Sequence, residues 1–137
     1  MTSIIAYLHF NGNCREAMTF YQACLGGTLV LQTVGESAMA SQTPPETHQD
    51  IMHSMLSSGG IALMASDMGK GQFVHGNSIS LMISCDTEEE INSYFARLAE
   101  GGTVQFPLAV QFWGSIYGEL TDKFGLTWTM NCDQPKA

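Results

Sequence analysis

The sequence predicts an α+β fold built twice, as two βαβββ modules in one chain of 137 residues. Three observations carry that expectation. Each half holds one amphipathic helix with a capping signal; each helix runs into Gly-Gly-Thr, as Gly26-Gly27-Thr28 and Gly101-Gly102-Thr103; and each helix follows one strand-like segment and precedes three. The expected organisation is a single domain over 1–137, with module one at about 1–67, a linker at about 68–77 and module two at about 78–137. A chain of this size buries roughly two-thirds of its unfolded surface, enough for a proper core.

Residues 4–11 read as the first strand. Asn13-Cys14-Arg15-Glu16 then opens a helix to Leu25, with Asn13 as N-cap and Glu16 three residues on, a pairing that satisfies otherwise unpaired backbone N–H groups reciprocally. Cys14, Met18, Tyr21 and Leu25 share one helical face, the side to be buried. Strands follow at 29–34, 51–56 and 61–65, the last two joined as a hairpin by Ser57-Ser58-Gly59-Gly60. The second copy repeats the order. Residues 78–84 form its strand, Asp86-Thr87-Glu88-Glu89 opens a helix to Ala99 with Asp86 as cap, and Ile91, Tyr94, Phe95 and Leu98 mark its buried face. Strands at 104–110, 116–121 and 126–131 follow, with Asp122-Lys123-Phe124-Gly125 as the hairpin link.

Two stretches interrupt the modules. Residues 36–50 are rich in Ser, Thr, Glu and Pro, the composition of an exposed, mobile loop. Residues 67–77 join the halves; Gly69-Lys70-Gly71 lacks a dinucleotide or P-loop pattern and reads as flexible linker. The acidic run Glu88-Glu89-Glu90 complements the helix dipole and is not read as a metal cluster.

The net charge is −8 with only five Lys or Arg, a balance that repels nucleic-acid backbones and anionic lipid, so neither nucleic acid nor membrane is an expected partner. Charged residues make up 13% of the chain against about 25% in ordinary domains, so a second subunit is expected to cover part of the surface. Cys14, Cys24, Cys85 and Cys132 are scattered without a Cys-x-x-Cys pair and read as reduced, mostly buried thiols. The sequence shows no charged-then-apolar N-terminal leader and no apolar run long enough to span a bilayer, so a cytoplasmic protein is expected.

Several segments carry a family resemblance: Tyr7-Leu8-His9-Phe10-Asn11-Gly12-Asn13-Cys14-Arg15-Glu16-Ala17, Phe20-Tyr21, Leu25-Gly26-Gly27, His53-Ser54-Met55-Leu56, Ala62-Leu63-Met64-Ala65-Ser66-Asp67, and the stretch from Phe112-Trp113-Gly114 through Tyr117-Gly118-Glu119 to Thr127-Trp128. Together they resemble the PhnB-like branch of the vicinal oxygen chelate superfamily, the glyoxalase/bleomycin-resistance fold. The resemblance implies paired βαβββ modules forming a cupped mixed sheet, in a homodimer. It also implies metal-ligand positions on the first and last strand of each module, which counting from the helix caps and hairpin glycines places at Ala6, Met64, Ser80 and Thr129. None is an imidazole or carboxylate, so no catalytic divalent metal is expected there, and no cofactor. Relatives of this branch carry a demethylubiquinone methyltransferase label, yet no glycine-rich loop follows a strand here to hold S-adenosylmethionine.

Strand alternation puts Ser78, Ser80 and Met82 opposite Ile79, Leu81 and Ile83, and Thr127 and Thr129 opposite Leu126, Trp128 and Met130. The expected ligand-binding cavity is lined by Phe10, Met64, Ser80, Tyr117, Glu119 and Thr129, with Trp113 at its rim and His53 lining it or directly behind. His9 is assigned with Tyr7 to the helix side, His48 and His75 to solvent, and Trp128 to the core. The function expected is metal-independent binding of a small molecule, neutral or cationic given the single carboxylate of the cavity. The alternative is an enzyme of lyase, isomerase or dioxygenase type using His53 and Glu119.

Overall fold

The computed structural model describes residues 2–67 and 73–134. It divides into two compact units, Met1–Val74 and His75–Ala137. In the first, β1 (Ala6–Phe10), α1 (Cys14–Leu25), β2 (Thr28–Thr33), β3 (Ile51–Ser58) and β4 (Ile61–Asp67) form a four-stranded sheet of order β1-β4-β3-β2. In the second, β5 (Leu81–Cys85), α2 (Glu88–Ala99), β6 (Thr103–Val110), β7 (Ser115–Thr121) and β8 (Thr127–Asp133) repeat it as β5-β8-β7-β6. In both sheets the first strand lies parallel to the last, and the remaining pairs are antiparallel. Gly69-Lys70-Gly71 lies outside the described residues. No helix among the described residues is long and apolar enough to cross a membrane.

Each helix covers one face of its own sheet. Cys14, Ala17, Met18, Tyr21, Cys24 and Leu25 are the buried residues of α1; Cys14 Sγ lies 3.7 Å from Ser54 Oγ, and Ser58 Oγ donates to the Leu25 carbonyl. Leu8 and Phe10 of β1, Leu63 and Ala65 of β4 and Leu56 of β3 complete that core. In the second unit Ile91, Phe95 and Leu98 of α2 pack over Ile116, Leu120, Trp128, Met130 and Cys132. Gly118 lies on the same face. A Cβ there would sit 2.8 Å from the Phe95 ring and 2.7 Å from Leu108, so its hydrogen is what lets the helix approach.

The repeated Gly-Gly-Thr has a steric cause. The second glycine of each copy is pressed against the end of a hairpin strand: a Cβ on Gly27 would collide with the Ser57 carbonyl and Ser58, and one on Gly102 with the Thr121 carbonyl and Asp122. The β3–β4 hairpin turns tightly through Gly59-Gly60, with Ser58 paired to Ile61. The β7–β8 link is a wider turn organised by the buried Asp122 carboxylate, which accepts from Phe124 N (2.8 Å), Leu126 N (3.1 Å) and Trp128 Nε1 (2.8 Å).

Four expectations are corrected. Asn13 precedes α1 but its side chain makes no cap; the Cys14 N–H donates instead to Asp67 Oδ1 (3.0 Å), while Asp67 Oδ2 accepts from Ile51 N (2.8 Å). One carboxylate thus ties the start of α1 to the start of β3. The α2 cap is Thr87 rather than Asp86: Thr87 Oγ1 accepts from Glu90 N, and Glu90 returns a carboxylate oxygen to Asp86 N. Residues 36–50 are not a bare loop but three short 3-10 turns stitched at the base by Val34 N to Asp50 O and Gly35 N to His48 O, with a Thr33–Glu36 capping box. His48, assigned to solvent, is half-buried and bonded through Nε2 to the Ala40 carbonyl at 2.9 Å.

Candidate functional site

The face of each sheet turned away from its helix carries the polar and aromatic side chains. In the second unit, register sets Phe106 beside Glu119, Glu119 beside Thr129, and Thr129 beside Met82, one residue from each strand. The neighbouring row is Ala109, Tyr117, Asn131 and Ser84. Thr129 is buried, a short side chain recessed between taller neighbours, while Met82 stays 59% exposed. At the end of the second row the β6–β7 turn brings Trp113 edge-on to Tyr117, with ring centroids 6.0 Å apart, and Phe112 edge-on to Trp113 at 4.9 Å. Trp113 is half-exposed and Phe112 almost fully so.

The first unit repeats the array with other chemistry. Its first row is Val30, Met55, Met64 and Tyr7, matching Phe106, Glu119, Thr129 and Met82 position for position. Its second row holds Gln32 beside His53 and Ser66 beside His9, so His53 is the counterpart of Tyr117. The Tyr7 and His9 rings lie 5.2 Å apart. His53 therefore lies on the open face. A register shift between Gln32 and Thr33, where Thr33 pairs with Ile51, is what makes its side hard to count from sequence.

Of the expected lining residues, register and alternation bring Tyr117, Glu119 and Thr129 together on one open face with Trp113 at its end, and put His53 and Met64 on the other. Two are misplaced. Phe10 is 1% exposed and points to the helix side with Leu8, whereas Tyr7 and His9 occupy the open face, the reverse of the expected parity. The cause is a link of unequal length: three residues separate β1 from α1 but two separate β5 from α2, so counting back from the helix slips the first strand by one. Ser80 is exposed and lies outside the sheet, because β5 begins at Leu81 rather than Ser78 and its partner β8 begins only at Thr127. Met82 lies on the face that alternation gave it, though it was not named among the lining residues; Met55, Asn131 and Gln32 were not singled out, and their signal was alternation read from a correctly placed neighbour.

The same register tests the superfamily's metal positions. Ala6 pairs with Leu63 on the helix side, so Met64 shares its face with Tyr7 instead, and Thr129 shares its face with Met82. A phenol, two thioethers and a hydroxyl do not fit a divalent catalytic ion. Among the described residues no three His, Cys, Asp or Glu side chains come together as a metal site. All four cysteines are free and buried, and burial pushes the Cys14 and Cys85 thiols up to about 11.

Two four-stranded mixed sheets, each backed by one helix and carrying an open polar–aromatic face, define the glyoxalase/bleomycin-resistance fold, and solved structures agree. A protein from Pseudomonas aeruginosa, PA1353, superposes with a TM-score of 0.87 at 40% identity, covering 98% of this chain and 100% of that one. A putative 3-demethylubiquinone-9 3-methyltransferase, PhnB protein, from Bacillus cereus gives 0.74 at 26% identity over 96% and 99%. Protein YjdN of Escherichia coli is 29% identical over 134 residues, 91% of each chain. A glyoxylase/bleomycin resistance protein/dioxygenase domain from Frankia shares the fold at 10% identity, with a TM-score of 0.67 over 100% of this chain and 96% of that one. The family profile described as 3-demethylubiquinone-9 3-methyltransferase matches residues 2–131. The chain belongs to that PhnB-like family and has the glyoxalase/bleomycin-resistance fold.

Proposed function

We propose that the protein binds a small, partly apolar molecule carrying a neutral or cationic polar group, and does so without a divalent metal. The observation that carries this reading is the row Phe106–Glu119–Thr129–Met82 with Tyr117 and Trp113 beside it: one carboxylate and one hydroxyl among aromatic and thioether surface. Apolar groups supply burial in such a site while a few polar atoms fix orientation. Phe10 and Ser80 take no part in this reading. A homodimer belongs to it as well, supported by sparse charge and by exposed Val30, Phe106, Val110 and Phe112. The four free thiols suit a reducing, cytoplasmic setting.

Native mass spectrometry of the purified protein identifies a co-purifying compound, whose rebinding is followed through Trp113 fluorescence. With a cationic ligand, Glu119→Gln weakens binding by about 1.5–3 kcal/mol through loss of a charge-assisted hydrogen bond. Unchanged affinity in that variant refutes the site. Turnover of the compound, lost in both His53→Ala and Glu119→Gln, shifts the reading to catalysis.

A further inference from the structure

Nine methionines in a chain of this size fall into distinct populations. Met18 and Met130 are fully buried under the helices. Met55 and Met64 are partly buried and lie directly opposite each other on the open face of the first sheet, the central pair of a row flanked by Tyr7 and Val30. Directly paired residues of antiparallel strands have Cα atoms about 4.5–5.5 Å apart, so two methionine side chains there can turn their sulfurs toward one point. His53 sits on the same face of β3, two residues before Met55 and about 7 Å along the strand, within reach of an imidazole nitrogen.

From this juxtaposition we infer that Met55, Met64 and His53 form a binding site for a soft monovalent cation of the copper(I) and silver(I) class. Two thioethers and one imidazole suit a soft d10 ion and offer little to Mg, Mn or Zn, since the set holds no oxygen or thiolate donor and only a single imidazole. The competing soft donors are the cysteines, and these are buried, with Cys14 and Cys85 held in the thiol form by pKa values of about 11. Met39, Met52 and Met82 also reach solvent, but Met55 and Met64 are the thioethers that cross-strand pairing sets side by side. The site does not depend on the small-molecule reading above, since it uses the first unit's face alone.

The test uses the full chain labelled with 13C at the methionine methyl groups and titrated with silver(I), which is diamagnetic and redox-inert under these conditions. The expected result is a shift of the Met55 and Met64 methyl signals that saturates at one equivalent, with Met18 and Met130 unmoved; Met55→Leu and Met64→Leu assign the peaks. The double Leu variant, volume-conserving at partly buried positions, lowers silver(I) affinity at least tenfold while circular dichroism is unchanged. His53→Ala weakens binding and leaves both methyl signals responsive. Silver taken up with Met55 and Met64 unshifted means capture by thiols or by the other methionines and overturns the inference, as does a double Leu variant that binds as tightly as the parent.

Discussion

Removing the Asp122 carboxylate tests whether the β7–β8 turn is held from within. Asp122 is 3% exposed and accepts hydrogen bonds from two backbone N–H groups of its own turn and from the buried Trp128 indole. Hydrogen bonds to a charged group contribute about 1.5–3 kcal/mol each, but water satisfies the two turn N–H groups once the carboxylate is gone, which trims their share to about 0.5–1 kcal/mol apiece. The indole N–H, sealed in the core, has no such replacement and carries a penalty of about 1–3 kcal/mol. Asp122→Ala therefore costs about 2–5 kcal/mol, a large part of the 5–15 kcal/mol typical of a domain. Urea denaturation followed by tryptophan fluorescence measures it, with a melting-temperature drop of about 6–20 °C alongside. Trp128→Phe isolates the indole bond: the double mutant should show a coupling of about 1–3 kcal/mol with Asp122→Ala. A loss below 1 kcal/mol in Asp122→Ala, or strict additivity with Trp128→Phe, refutes the reasoning.

Gly102→Ala drives a methyl group into the backbone at Thr121 and Asp122 and destabilises by about 1–3 kcal/mol in calorimetry, and Gly27→Ala does so at the equivalent place with added strain at φ +90. Because burial raises the Cys14 and Cys85 thiols from 9.0 to about 11, their contribution to stability is intact below pH 9 and is lost as pH rises toward 11; denaturation curves at pH 8 and pH 10.5 reveal it, and loss of the decline in the Cys14→Ala, Cys85→Ala double variant assigns it. Zinc, nickel, manganese or ferrous iron should leave the melting temperature unchanged, since a ligand stabilises only as it binds the native state; a stoichiometric metal surviving dialysis with a matching rise would overturn this.

Much of the fold is legible in the chain because it is local. Both helix faces follow from 3.6-residue spacing, the hairpins from their glycines, and the duplication from the matching order of the two. Trp128 as core and the shared face of Tyr117, Glu119 and Thr129 follow from two-residue alternation within single strands. What alternation cannot supply is an absolute phase when a link changes length. One residue fewer between β5 and α2 than between β1 and α1 sent Phe10 to the wrong face and hid Tyr7 and His9. Asp67 as helix cap was equally invisible, since it reaches Cys14 from 53 positions away. The rows themselves exist only in register across four strands, which is why Met55 and Met82 acquire meaning from their neighbours in space.

The outer strand β6 offers apolar side chains to solvent along almost its whole length, in a protein with little charge to deter association. Yet its backbone is a poor template. Pro107 lacks an N–H, and the pairing with β7 slips between Val104 and Phe106 and again between Phe106 and Ala109. A strand arriving from another molecule would need an even ladder of donors and acceptors, and this edge presents a broken one. The side chains of β6 are thus left free to meet a partner through their surfaces while the backbone resists being extended into a larger sheet.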